Sequence, residues 1–258
     1  MKILVTNDDG IYRRGLWALA AELQNMAEVV VVAPDREQSA VGAAISLHHP
    51  LHYTEVNPLV AGIKAYSISG TPSDSVILAL EIFEDIGMVF SGVNEGANLG
   101  NDVLLSGTVG AALQGYFHGL PAVALSMEDG EEMHFEVAVR LATSLANHIT
   151  NGSQTKEMLL NINLPNLPLE EIKGIDFTRL ASTDYNDLIV ERFTRKRKYY
   201  RIVRKKPLCN GEEGTDAWAV DNGKISITPL QGMMGTAPGS SPAFNNLRAS
   251  LLQNLGLF

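Results

Sequence analysis

Residues 2 to 6 (KILVT) and 29 to 33 (VVVVA) are short apolar runs rich in β-branched side chains, and between them GLWALAAELQNM carries its apolar residues at helical spacing. This is the pattern of a βαβ unit, and it recurs. Thr71-Pro72-Ser73 opens a predicted helix running to about Phe83, MVFSGV reads as a strand, and a helix from about Thr108 leads into the strand AVALS. A long helix is predicted over 133 to 150, ahead of the strand MLLNINLP. Wholly apolar strands alternating with helices predict an α/β fold: a largely parallel, Rossmann-like sheet flanked by helices over residues 1 to 180.

After about residue 180 the pattern changes to polar and aromatic strand-like segments, with a hairpin predicted at Asp221-Asn222-Gly223 between WAV and KISIT. Glycine and proline in GMMGTAPGSSPAF mark a loop, and NNLRASLLQNLGLF reads as a short helix. Residues 181 to 258 are therefore expected to be arm-like β-hairpin extensions and a terminal helix, an oligomerisation region building a homodimer or homotetramer. The single cysteine, Cys209, excludes an intramolecular disulfide and fits a reducing compartment. Met1 runs straight into an apolar strand, and no apolar run approaches the ~20 residues of a membrane span. The expectation is a cytoplasmic protein with no membrane partner.

Charge sharpens the picture. The net charge is -9, yet residues 192 to 206 (RFTRKRKYYRIVRKK) hold nine of the twenty Lys and Arg and no acid, so the rest of the chain stands at -18. Such a body repels anions, and a phosphate substrate would need a local cation or oriented N–H groups.

The candidate chemistry lies at strand ends, where parallel α/β sheets bind their ligands. Asn7-Asp8-Asp9-Gly10 follows the first strand. Its residue types suit a plain turn, but two adjacent carboxylates repel unless a cation joins them. Ser39 follows the second strand and Asn94 closes MVFSGV, so three strand ends can meet at one edge. Carboxylates, a hydroxyl and an amide oxygen form an all-oxygen set suited to Mg²⁺, Mn²⁺ or Ca²⁺ rather than to zinc. The polar, glycine-rich loop from Asn94 to Asp102 leads to Ser106-Gly107-Thr108 at a predicted helix start. Such a start binds anions, although Ser106 as a plain N-cap explains it equally.

With these residues in place the chain resembles the SurE (survival protein E) nucleotidases. The resemblance runs through TNDDG at 6 to 10, APDREQS at 33 to 39, SGTPSDS at 69 to 75, SGVNEGANLGNDVLLSGTVGAALQG at 91 to 115, GTDAWAV at 214 to 220 and ISITPL at 225 to 230. It implies that Asp8, Asp9, Ser39 and Asn94 bind one divalent cation per subunit, Mg²⁺ or Mn²⁺; Asp8 or Asp9 is the expected base or nucleophile, and the sequence does not decide between them. The resemblance also implies that Asn98, Ser106, Gly107 and Thr108 surround the phosphate. The reaction implied is hydrolysis of nucleoside 5′- and 3′-monophosphates, with short polyphosphate as a further substrate. The family commonly has Arg-Ser-Gly where this chain has Gln38-Ser39-Ala40, and a tyrosine at Leu105.

His48, His49 and His52 lack a regular helical spacing for joint ligation, and His118, His134 and His148 stand singly. The turn after the first strand lacks the G-x-G-x-x-G fingerprint of dinucleotide binding. The basic tract at 192 to 206 leaves an alternative, a non-catalytic nucleotide- or RNA-binding protein. It fits as well an exposed strand pair guarded by Lys and Arg, the arm that the resemblance assigns to oligomer assembly, with no sequence-specific nucleic-acid partner.

Overall fold

The structure, a computed structural model, describes residues 1–151, 158–184, 187–194, 197–204 and 208–230. In chain order the main elements are β1 (Lys2–Thr6), α1 (Arg14–Leu23), β2 (Glu28–Pro34), β3 (Tyr53–Glu55), β4 (Lys64–Ile68), α2 (Pro72–Ile82), β5 (Ile86–Glu95), α3 (Gly107–Phe117), β6 (Ala122–Met127), α4 (Phe135–Asn151) and β7 (Leu159–Leu164). There follow β8 (Ile175–Phe177), β9 (Ser182–Asp184), β10 (Asp187–Phe193), β11 (Lys198–Arg204), β12 (Leu208–Asn210), α5 (Asp216–Asp221) and β13 (Ile225–Pro229).

Nine strands form one sheet in the order β3-β4-β2-β1-β5-β6-β7-β13-β8. The six from β4 to β7 pair in parallel, while β3 and β13 run antiparallel to their neighbours β4 and β7. Alternation divides the core: Ile3, Val5, Val29 and Val31 pack under α1 and α4, and Leu4, Val30 and Val32 pack under α2 and α3. Burying both faces explains the unbroken apolar runs. Strand order reverses direction between β1 and β5, and a crevice opens at the carboxyl ends of that pair.

The helix starts read from the sequence have a physical basis. Thr71 and Asp74 make a capping box with Pro72 in the first turn of α2, and the Ser106 hydroxyl accepts from Val109 N–H at the start of α3. The hairpin expected at Asp221-Asn222-Gly223 is a helix end instead. Thr215 caps α5, and Gly223, at φ 74°, lets its own N–H and that of Lys224 bond back to Val220 and Ala219. Left-handed glycine serves hairpin turns and helix C-termini alike, which is why the tripeptide misled. The chain then returns to the main sheet as β13. A hairpin does occur earlier, where β10 and β11 pair antiparallel in their own two-stranded sheet. The helix expected near the C-terminus lies outside the described residues. Among the described residues no helix is long and apolar enough to cross a membrane.

Candidate active site

Beyond Thr6 the chain is turned by Asn7, whose amide accepts from Gly10 N–H at 3.2 Å and donates to Gly10 O at 3.1 Å. This buried turn sets Asp8 and Asp9 at the carboxyl end of β1. Gln38 N–H donates to Asp8 O at 2.7 Å, stitching the turn to the loop after β2 that carries Ser39. Asn94 stands at the end of the adjacent β5. Three strand ends thus converge at the point where the strand order reverses.

Each polar atom there has a definable state. Thr108 Oγ1 donates to Asp8 Oδ1 at 2.5 Å, and the backbone of Gly107 and Thr108 adds further hydrogen bonds. The start of α3 reaches Asp8 because Gly107 has no side chain: a Cβ there would stand 2.8 Å from Asp8 Cβ. Burial pushes the Asp8 carboxyl above its ordinary range against these donors. Asp9 is pushed up to about 7, by burial first and then by the charge of Asp8. Its Oδ2 is buried without a hydrogen-bond partner. Ser39 donates to Glu37 Oε1 at 2.7 Å, which leaves its oxygen lone pairs unused as donors to an ion. Asn94 Nδ2 is tied to Gly96 O at 2.6 Å, which leaves Oδ1 as the ligating end.

These residues line a cleft of about 380 Å³ together with Arg13, Glu37, Ala40, Glu95, Asn98, Asp102, Leu105, Ser106 and Asp129. Six carboxylates face one guanidinium, and that Arg13 is already paired with Glu37 at 3.3 Å. An orphaned carboxylate oxygen, two acids driven toward protonation and an all-oxygen donor set fit a hard divalent cation. Its ligands would be Asp8, Asp9, Ser39 and Asn94.

The eight residues singled out in the sequence fall into two groups. Asp8, Asp9, Ser39, Asn94, Asn98 and Ser106 line the cleft. Gly107 and Thr108 lie behind its wall against Asp8, so the helix start meets a side-chain carboxylate first.

Comparison with known proteins decides the family. Residues 3–187 match the family model described as Survival protein SurE. The chain belongs to the SurE family. It is 45% identical over 236 residues to a protein named 5′-nucleotidase SurE from Dehalococcoides mccartyi (strain CBDB1), covering 89% of this chain and 88% of that one. A protein of the same name from Geobacter sulfurreducens is 44% identical over 234 residues, with 89% and 87% covered. The crystal structure of the SurE protein from Aquifex aeolicus superposes with a TM-score of 0.73 at 35% identity, over 89% of this chain and 93% of that chain.

Of the three departures from the usual SurE pattern, Ala40 and Leu105 lie in the cleft wall and Gln38 does not line it. Ala40 takes φ 58° where the family commonly has glycine, and Leu105 presents an apolar side chain where a tyrosine is common. Other residues escaped the sequence reading. Ser126, Asn161, Asn163 and Asp216 are buried beneath the Asn98 loop. The signal for two of them was present in LLNINL, where asparagine at alternate positions marks one polar face of a buried strand.

Proposed function

We propose that this chain hydrolyses nucleoside 5′-monophosphates to nucleoside and phosphate with one bound divalent cation, Mg²⁺ or Mn²⁺. The observation that carries this reading is the Asp8–Asp9 pair at the strand-order reversal, in a cleft whose carboxylates repel a phosphate unless a cation intervenes. Relatives of similar length that bear the name 5′-nucleotidase supply the substrate class. Because every donor in this reading is assigned to the phosphate and none to the base or sugar, it extends to 3′-monophosphates and short polyphosphate as further substrates of the same site.

The cation, when bound, neutralises the carboxylates and draws charge from the phosphoryl oxygens and the attacking water. Asp8 is anchored by Thr108 and the start of α3, which leaves Asp9 as the carboxylate free to exchange a proton with that water. Water oxygen bonds to phosphorus as the P–O bond to the nucleoside breaks, and the proton that Asp9 takes from the water passes to the leaving oxygen. The Ser106 hydroxyl already accepts from Val109 N–H, so its hydrogen is available to a phosphate oxygen. Asn98 lines the same wall, and the side-chain N–H that it does not give to Ser126 is its donor to the phosphate.

Phosphate release from AMP by pure protein, with Mg²⁺ or Mn²⁺ and then with EDTA, is the test. Activity should require the metal, and Asp8→Asn or Asp9→Asn should lower it at least about 100-fold, since each ~1.4 kcal/mol is tenfold in rate. Nucleotide binding without turnover would instead favour a sensor.

We further infer that the chain assembles as a homodimer or homotetramer through the β10–β11 hairpin. Ile189, Phe193 and Ile202 are 63%, 73% and 69% exposed on one face of it. Two strands alone are marginally stable in water, so such a face calls for a partner.

A further inference from the structure

Asn98 is fixed almost entirely from beneath the cleft. Its N–H donates to Asn163 Oδ1 at 2.7 Å, and its carbonyl accepts from Asn161 Nδ2 at 2.9 Å and Asn163 Nδ2 at 3.1 Å. Its side-chain amide donates to Ser126 Oγ at 2.8 Å. Ser126 lies on β6 directly opposite Asn163 on β7, and all three supporting side chains are fully buried. Two residues on, Gly100 N–H donates to Asp216 Oδ2 at 2.8 Å. The other oxygen of Asp216 accepts from Ala181 and Ala217 N–H, each at 2.8 Å. One three-residue stretch is therefore held by β6, β7 and α5, from positions up to 116 residues away.

This arrangement is costly. Asparagines and a carboxylate buried away from water need every hydrogen bond met, and apolar residues would fill the same strands without that demand. Asn161 Oδ1 is indeed left without a partner, an expense that packing alone does not explain. What the polar groups obtain is a fixed backbone at Asn98 inside a glycine-rich loop. None of the four lines the cleft, so none touches substrate.

We propose that Ser126, Asn161, Asn163 and Asp216 are positioning residues, a buried polar platform that fixes the Asn98–Gly100 segment so that the Asn98 amide meets the phosphoryl group. The inference rests on the hydrolase reading above and on the place of Asn98 in it. It predicts that loosening the platform slows turnover while leaving the cation ligands undisturbed. Asp216→Asn turns an NH₂ toward a backbone N–H, at Gly100 if it keeps its bonds to Ala181 and Ala217. Asn163→Asp sets a carboxylate oxygen against the Asn98 carbonyl. Ser126→Ala removes one acceptor and little volume, so it tests the platform even if a harsher variant does not fold.

Two readouts decide the matter. In metal-free protein, amide hydrogen exchange at Asn98 and Gly100 should quicken about tenfold or more in Asn163→Asp and Asp216→Asn respectively, with the amides of β1 and β5 unchanged. Well below the melting temperature, kcat on AMP should fall by roughly 10- to 100-fold in these variants. Mn²⁺ affinity should stay within about twofold of wild type, and the Ser126→Ala loss should vanish in an Asn98→Ala background. A merely structural role predicts a lower melting temperature with unchanged kcat per folded molecule. That result, or full additivity with Asn98→Ala, overturns the proposal. A wild type inactive on every nucleotide would overturn the hydrolase reading, whereas unchanged exchange in an active enzyme would overturn the platform alone.

Discussion

At Ala40 the backbone takes φ 58°, a region where a Cβ crowds the following carbonyl at a cost of about 1–2 kcal/mol. Glycine removes that crowding but gives back roughly 0.5–1 kcal/mol of unfolded-state entropy. Ala40→Gly should therefore stabilise the protein by about 0.5–1 kcal/mol, a rise in melting temperature of roughly 1–4 °C. A melt that stays level or falls would show that the loop beside Ser39 is not strained. Asp9 makes a second prediction at this scale. Its ordinary value is 3.8, and in the folded, metal-free protein it is pushed up to about 7. Between those values the folded state holds a proton that the unfolded state has lost, so stability from this group is full below about 4 and is lost as pH rises through 7. Asp8 is pushed the same way, and the two titrate as a pair. In EDTA, wild type should melt lower at pH 8 than at pH 5, relative to Asp9→Asn at the same two values. A constant difference between the two proteins would remove the shift. Added Mn²⁺ should raise the wild-type melt more at pH 8 than at pH 5, since Asp9, pushed up to about 7, has lost its proton at the higher value and binds the cation without having to release one.

At the scale of elements, the approach of α3 to β1 depends on Gly107. Replacing glycine by alanine inside an exposed helix favours the helix by about 1 kcal/mol. Here the new Cβ would stand 2.8 Å from Asp8 Cβ and 3.1 Å from Pro72 Cγ, and overpacking of that kind costs typically ~1–3 kcal/mol. Overpacking should win, so Gly107→Ala should lower both the melting temperature and Mn²⁺ affinity; a more stable variant that binds Mn²⁺ normally would contradict this. The convergence of Asp8, Asp9, Ser39 and Asn94 was legible because strand ends in a parallel sheet share one edge, and unbroken apolar runs announce such a sheet. The role of Thr108 was not, since only the tertiary approach of α3 shows its hydroxyl meeting Asp8 before any phosphate. The return of residues 225–229 to the sheet escaped for a similar reason: pairing between β13 and β7 spans more than sixty residues, and no local pattern encodes it. Local chemistry also misled at Gly223, where one backbone conformation serves two structures.

At the scale of the whole molecule, the acidic body and the basic hairpin belong in one argument. Residues outside 192 to 206 stand at -18, while the hairpin carries Arg192 and Arg201 on the face opposite Ile189, Phe193 and Ile202. A second copy of the chain offers both an acidic surface for these cations and a partner for Ile189, Phe193 and Ile202. Burying one such side chain is worth about 1.5–3 kcal/mol, more than a screened surface ion pair at ~0–1 kcal/mol, so the apolar contact should dominate and the charges should set orientation and salt dependence. Ile189 and Ile202 lie directly opposite each other across the hairpin, which makes them one contact rather than two. Ile189→Ser with Ile202→Ser should therefore dissociate the assembly at micromolar protein. Arg201→Ser alone should weaken it modestly, and at low salt only. Light scattering on the two variants and wild type, at low and high salt, separates these contributions. Each monomer carries its own Asp8, Asp9, Ser39 and Asn94, so phosphate release from AMP should persist in the dissociated form. An unchanged mass in the double variant would place the subunit contact elsewhere on the molecule, whatever the basic tract then does.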